Sequence, residues 1–199
     1  MDESNYSPSL CGDCIVCALA TIGERIEGIK DCKVLTPKRR AILFQEIQKN
    51  CLYYAIPVTP VQIGKIGVYI ARNMGIATAI NGLIGTMLQM RVERPEKIIL
   101  DGYWSKEWIE FFSINIAIPI EGIIGADKKI YEVSAASIVA KMYCDSLLAG
   151  WDKLYPKWGI GCDHGAITKD HLEELKARGP SPVHRVGMYA KDWWKRILG

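Results

Sequence analysis

The chain has 199 residues, 49% hydrophobic and 24% charged, with a formal net charge of +3. This composition is that of an ordinary globular protein, and no apolar run reaches the roughly 20 residues that a membrane-spanning helix needs. The N-terminus, MDESNYSPSL, lacks the basic and then apolar segments of a secretory signal. We therefore expect one domain over residues 1–199, a monomer in the cytoplasm with no membrane partner.

In the first half of the chain, predicted strands alternate with predicted helices. Thr36 and Pro37 are a favourable cap and first residue for a helix. A second helical region has an expected break near Gly64 and Gly67. The predicted elements of this half are a strand at 14–20, a helix from 36 to about 50, a strand at 52–58 and helical structure from 59 through 87.

The second half predicts two more strands followed by helices. The first of these strands ends in a carboxylate, Asp101, and the last helix is closed by Gly179. The predicted elements are strands at 97–101 and 114–124, a helix at 131–148 and a helix from 168 to 178. Interleaved strands and helices indicate an α/β fold with a helical C-terminal region.

Seven cysteines are present, and Cys11, Cys14 and Cys17 are spaced like half of a zinc site. No second Cys/His pair follows at the spacing of a zinc finger. We expect these cysteines to be buried, reduced thiols. A zinc-binding interaction module remains an alternative, and stoichiometric zinc in the purified protein would support it.

Four acids are candidates for a metal site: Asp2 and Glu3 adjoin, Asp101 ends a predicted strand, and Asp127 lies just before a predicted helix. Hard divalent cations take oxygen ligands, and four converging carboxylates could hold two Mg²⁺ ions. A chain with 22 acidic residues offers many such quartets. Spacing by itself therefore does not establish the site.

Four sequence segments in order resemble the type 2 ribonuclease H (ribonuclease HII) family. GIKDCKVLTPKRRAILFQEI, at 28–47, is similar to the family's D-S-K-x-L-T-x-x-x-R entry into a helix. ILDGY, at 99–103, resembles its third-acid strand, and ADKKIYEVSAASIVAK, at 126–141, its fourth-acid and helix segment. HLEELKARGPSPVHR, at 171–185, completes the series.

The resemblance implies a ribonuclease H-like mixed β-sheet flanked by α-helices. It also implies that Asp2, Glu3, Asp101 and Asp127 are catalytic and hold two divalent ions, Mg²⁺ or Mn²⁺. The activity implied is endonucleolytic cleavage of the RNA strand, or of embedded ribonucleotides, in RNA·DNA duplexes, leaving 5′-phosphate and 3′-hydroxyl ends.

Matching positions also imply contacts with the substrate. The residues expected to make them are Asn5, Tyr6, Ser7, Lys33, Ser134, His184 and Arg185. Asp145 matches a family aspartate near the site, and an exposed helix acid is an equally good interpretation of it. For Ser134 and His184 the alternatives are helix packing and a packing or capping role at a proline turn.

The chain departs from the family pattern at several positions. Asn5, Tyr6 and Ser7 replace a G-R-G loop, so side chains are expected to hinder close backbone approach to the 2′-hydroxyl, while Tyr6 could stack on a sugar or base. Ala166 stands where the family has a stacking tyrosine, and only Met1 precedes the first acid. A nucleic-acid-binding protein with impaired catalysis is therefore the alternative function.

Overall fold

The computed structural model describes residues 1–6, 9–160, 166 and 168–187. Its strands are β1 (Asp2–Ser4), β2 (Cys14–Thr21), β3 (Cys51–Val58), β4 (Ile98–Asp101) and β5 (Ile120–Ile123). Its helices are α1 (Pro37–Asn50), α2 (Pro60–Ile66), α3 (Val68–Gln89), α4 (Lys106–Ile116), α5 (Tyr131–Leu154) and α6 (Lys169–Arg178). Among the described residues, no helix is both long and apolar enough to cross a membrane.

The strands form two ladders that meet at Met1. One ladder has the order β1-β2-β3, and in the other β4 pairs with β5 in parallel. The Met1 amino group donates to the Ile99 carbonyl at 2.9 Å, and the Asp101 amide donates to the Met1 carbonyl at 3.2 Å. This is the bonding pattern of a parallel pair. It places β1 beside β4 and gives the order β3-β2-β1-β4-β5.

The chain divides into two compact units. The first contains Met1–Glu3, Val16–Ile56 and Ile76–Met142, and therefore the bonds that join β1 to β4. The second contains Ser4–Ile15, Pro57–Gly75 and the described part of 143–199. Helices accompany a small mixed sheet, which confirms the predicted α/β class. The expectation of a single domain stays a prediction.

Local sequence signals account for the helices that were predicted. The Thr36 hydroxyl accepts a bond from the Arg39 amide at 3.2 Å, which begins α1 at Pro37 as expected. Thr59 and Gln62 form a reciprocal capping box at the start of α2. The expected break falls at Gly67, whose φ of 83° suits glycine and ends α2 before α3 begins.

The predicted strand at 114–124 is wrong in its first part, because α4 extends to Ile116 and only Ile120–Ile123 is a strand. The β-branched residues near Ile114 suggested a strand, but tertiary packing decides the conformation. Phe112 is fully buried and its ring lies 5.8 Å from that of Trp104 and 5.6 Å from that of Trp108. A helix brings these aromatic side chains to one face, and local β preference yields to that packing.

Among the described residues of the second unit, Arg185 is the largest fully buried side chain. Its guanidinium donates to three backbone carbonyls, those of Gly12 at 2.9 Å, Tyr6 at 2.9 Å and Asn5 at 2.5 Å. Its own amide donates to the Leu10 carbonyl at 2.8 Å. The loop that follows β1 is thereby bonded to the chain around residue 185 at several points.

We expect Arg185→Met to lower the free energy of unfolding by about 3 kcal/mol or more, because it leaves buried carbonyls without donors. Urea denaturation followed by circular dichroism measures this loss. Arg178→Ala is the matched control, since Arg178 is an exposed partner of Glu174 on α6, and it should change stability by less than about 1 kcal/mol. Equal losses in the two variants would contradict the role given to Arg185.

Candidate active site

Neighbouring strands bring three of the four predicted acids to one region of the first unit. Asp2 and Glu3 lie on β1, and Asp101 is the last residue of β4. The backbone bonds of Met1 to Ile99 and Asp101 fix β1 against β4 at this point. Asp2 is buried and Glu3 is half-buried.

Asp101 holds Asp127, the fourth predicted acid, in position. One Asp101 carboxylate oxygen accepts bonds from the amides of Ala126 at 2.7 Å and Asp127 at 3.4 Å. These amides begin a short 3₁₀ turn, Ala126–Lys128, that follows Gly125 in the left-handed conformation. Asp127 itself is 4% exposed. The Asp101 carboxylate therefore caps the turn that carries Asp127.

Serines of α5 support the same turn from the other side. The Ser134 hydroxyl donates to the Asp127 carbonyl at 2.7 Å, and Ser137 donates to the Ser134 carbonyl at 2.8 Å. Ser137 also accepts a bond from the Cys32 amide at 3.3 Å. Ser134 is buried and its hydroxyl bonds to backbone, which suits a role in positioning Asp127. Its contact with substrate stays a prediction.

Lys33 is a cation beside these acids, with its ammonium nitrogen 3.8 Å from an Asp127 carboxylate oxygen and its side chain 77% exposed. Partial burial lowers the pKa of Lys33, but the carboxylates of Asp31, Asp127 and Asp2 outweigh it and hold that pKa above its ordinary value. Asp31 also accepts the Lys33 amide at 2.9 Å. Asp31 was not among the predicted site residues, although an aspartate two residues before the lysine is a recognisable turn signal.

The acids repel one another. Burial, and then the charges of Glu3 and Asp101, raise the pKa of Asp2 well above its ordinary value. Burial, and then the charges of Asp101 and Asp31, raise the pKa of Asp127. A divalent cation would relieve this repulsion. The donors are all carboxylate oxygens, which fit Mg²⁺ or Mn²⁺ and disfavour softer metals.

The four carboxylates do not form a closed cage. Among the described residues, the set of three metal-ligating side chains whose donor atoms lie within 4.8 Å of one another is elsewhere, at Cys11, His171 and His184. No three of the four acids bring their carboxylate oxygens that close together, which agrees with the repulsion between their charges. The four acids are thus mutually repelling carboxylates gathered around β1, the end of β4 and the turn at Asp127.

The predicted substrate loop is held from within the second unit. Asn5 has a φ of 62°, a conformation that glycine or asparagine adopts most readily. Its side-chain amide donates to the carbonyls of Cys11 at 3.2 Å and Asp13 at 2.9 Å, and its oxygen accepts from Ser9. The Asn5 side chain therefore bonds the loop to itself, and the hindrance expected for close backbone approach to a substrate stays a prediction.

The remaining predicted site residues also belong to the second unit. The Arg72 guanidinium lies 4.7 Å from the centre of the Tyr6 ring, so one face of that ring is already stacked. Ser7 lies outside the described residues. His184 is buried and engaged inside the protein like Arg185, and Asp145 is half-buried on α5. Their predicted roles at the substrate remain untested.

Residues 9–197 match the family model described as Ribonuclease HII. The matched range does not include Asp2 and Glu3. The ribonuclease HII of Alkaliphilus metalliredigens is 35% identical over 177 residues, which cover 88% of this chain and 79% of that protein.

Two solved structures show the same fold. The ribonuclease H2 from Pyrococcus horikoshii superposes with a TM-score of 0.76 at 23% identity, covering 99% of this chain and 94% of that one. Bst-RNase HIII in complex with Mn²⁺ gives a TM-score of 0.71 at 15% identity, covering 99% and 68%. These likenesses confirm the ribonuclease H-like architecture.

Because neighbouring carboxylates repel that of Asp2, we expect Asp2→Asn to raise the free energy of unfolding of the chelator-treated protein. A carboxyl group whose pKa is higher in the folded chain than in the unfolded chain stabilises the fold at pH values below its unfolded pKa. This contribution is lost as the pH rises through its folded pKa. In EDTA we therefore expect a gain on the order of 1 kcal/mol at pH 7.5 and a smaller gain near pH 4. Urea titrations at both pH values measure it.

Mg²⁺ should narrow or reverse the difference, because a divalent cation near Asp2 would relieve the repulsion in the wild type. Asp170→Asn, at an exposed acid in the first turn of α6, is the control and should show no gain. A lower stability of Asp2→Asn in EDTA at pH 7.5 would argue against the repulsion described for the site.

Proposed function

The chain belongs to the ribonuclease HII family and is a ribonuclease H-type hydrolase, and we propose that Asp2, Glu3, Asp101 and Asp127 are its catalytic acids. The substrate proposed is an RNA·DNA hybrid or a duplex with embedded ribonucleotides, and the products carry 5′-phosphate and 3′-hydroxyl ends. We propose that it acts as a monomer in the cytoplasm.

The observation that carries this proposal is the meeting of mutually repelling carboxylates where β1 begins and β4 ends, with Asp2 buried and Glu3 and Asp101 half-buried. Two Mg²⁺ or Mn²⁺ ions bound by these oxygens would supply an activated water and stabilise charge on the leaving oxygen. Mn²⁺ is the ion named with the Bst-RNase HIII structure. Asp101 has a second task, since it also holds the turn that carries Asp127.

A basic depression beside the acids suits a nucleic-acid backbone. Its volume is about 510 Å³, and Lys30, Lys128 and Lys129 line it together with Asp31 and Ser134. Lys33 adds an exposed ammonium group next to Asp127. Phosphates neutralised by such lysines supply much of the affinity for nucleic acid. These groups would align the strand so that a phosphate faces the acids.

The alternative function is a binding protein with impaired turnover. It is favoured by the loop at Asn5 and Tyr6, where the family's G-R-G is replaced, and by the stacking of Tyr6 on Arg72. Against it, all four acids are present, and the bonds from Asp101 and Ser134 keep Asp127 in place.

Cleavage of two labelled duplexes tests the proposed activity. One duplex carries a single embedded ribonucleotide and the other a continuous RNA strand, each assayed in Mg²⁺ and in Mn²⁺. We expect Asp127→Asn to lower the cleavage rate by at least ~10³-fold with hybrid binding largely retained, because a metal ligand is lost while the lysines remain.

Asp152→Asn is the matched control, since Asp152 lies on α5 in the second unit, and it should cleave at the wild-type rate. Binding without cutting by the wild type would select the binding-protein function. Equal cutting by wild type and Asp127→Asn would refute the assignment of the acids.

Lys33→Ala should weaken binding of the hybrid and reduce by about one the slope of log affinity against log salt concentration, because one phosphate contact is lost. Fluorescence anisotropy between low and moderate salt measures both effects. Lys106→Ala on α4 is the control, since Lys106 is an exposed partner of Glu110. An unchanged slope in Lys33→Ala would remove Lys33 from the proposed interface.

A further inference from the structure

Three metal-ligating side chains that the proposed nuclease site does not use meet in the second unit. Cys11 precedes Gly12 in the loop after β1, His171 is in the first turn of α6, and His184 follows the Pro180–Val183 segment. All three are buried, at 0%, 1% and 4% exposed. Their donor atoms lie within 4.8 Å of one another.

Backbone bonds hold two of the donors together. Cys11 and His184 form an isolated antiparallel bridge, flanked by bonds from Gly12 to Val183 at 2.9 Å and from Arg185 to Leu10 at 2.8 Å. The cluster is thus part of the fixed architecture and does not depend on long, mobile side chains.

The helix that supplies His171 is anchored at the same place. The Thr168 hydroxyl accepts the His171 amide at 3.2 Å as the cap of α6. Leu175, one turn further on, packs against Leu10, the neighbour of Cys11. These contacts set the position of the His171 ring relative to the Cys11 loop.

The outer nitrogens of both rings are already bonded. His171 Nδ1 lies 3.1 Å from the Ala166 carbonyl, so it carries the proton and Nε2 presents a lone pair to the cluster. His184 Nδ1 lies 2.8 Å from the Ser181 hydroxyl and 2.9 Å from the Ser181 amide. A backbone carbonyl or hydroxyl on the far nitrogen is the usual support of a metal-binding histidine.

We propose that Cys11, His171 and His184 bind a Zn²⁺ ion in a structural site separate from the four acids. One thiolate and two imidazoles are a borderline-soft set that selects zinc over Mg²⁺. Zinc bonds of about 2.0–2.3 Å put tetrahedral donors roughly 3.3–3.7 Å apart. The cluster therefore needs only a small adjustment to close. A fourth ligand, water or a further side chain, completes the usual tetrahedron.

Without zinc, one proton lies between the rings, because His184 Nε2 is 2.9 Å from His171 Nε2. On binding, the Cys11 thiol loses its proton to solvent and the sulfur bonds to zinc. The His184 proton moves from Nε2 to Nδ1, where it is donated to the Ser181 hydroxyl, and the bond from the Ser181 amide to Nδ1 is lost. One proton is released for each zinc bound.

Refolding of the tag-free, full-length protein from urea tests the site, because buried donors exchange metal slowly. The refolding buffer contains excess Mg²⁺, to occupy the acids, and either Zn²⁺ or Co²⁺. After gel filtration we expect one zinc per chain by mass spectrometry, one proton released per zinc, and a thiolate-to-cobalt absorption band in the Co²⁺ form.

Cys11→Ala should weaken zinc binding by at least ~100-fold. Cys14→Ala, at another buried cysteine, and Asp101→Asn should both keep the metal. Wild-type protein without bound zinc, or zinc that survives Cys11→Ala, would overturn the proposal and leave a hydrogen-bonded histidine pair. If Cys11→Ala does not fold, the wild-type cobalt band decides, and its absence is equally negative.

Discussion

The proposed nuclease site depends on one contact, in which a carboxylate oxygen of Asp101 accepts bonds from the Ala126 and Asp127 amides. It joins the end of β4 to the turn before α5, two segments distant in sequence. Asp101 is also one of the four proposed catalytic acids. A substitution there would therefore disturb both the position of Asp127 and the proposed chemistry. Ser134 completes the support by bonding the Asp127 carbonyl from α5. The fourth acid is thereby held on both sides.

Folding brings these acids close together, and this lowers the stability of the folded chain. The pKa of Asp2 and that of Asp127 are raised because the folded chain buries carboxylates beside other carboxylates. Evolution retains such unfavourable clusters where function requires them. The backbone bonds of Met1 to Ile99 and Asp101 hold the start of β1 against β4 despite this repulsion. Lys33 relieves little of the repulsion, since its side chain is mostly exposed to water.

Local signals predicted much of the fold, and sequence motifs predicted the acids. Thr36, Thr59 and Gly67 mark helix boundaries by rules that act within a few residues. The helix α4 was missed because aromatic packing around Phe112, which no short window contains, overrides β-branched composition. The Cys11, His171 and His184 cluster was missed because its members lie far apart in the sequence, and spacing grouped Cys11 with Cys14 and Cys17 instead. Residues three apart on a strand point to opposite faces.

The loop after β1 shows two ways of encoding one backbone shape. Glycine adopts a positive φ because it has no side chain, whereas Asn5 adopts a φ of 62° with a side chain bonded to Cys11, Asp13 and Ser9. In this chain the backbone shape of the loop is held by these side-chain hydrogen bonds and by the Arg185 guanidinium, which donates to the loop carbonyls. A glycine at position 5 would therefore allow the same backbone shape while removing all the bonds of the Asn5 side chain at once. The rigidity of this loop thus depends on a single amide side chain.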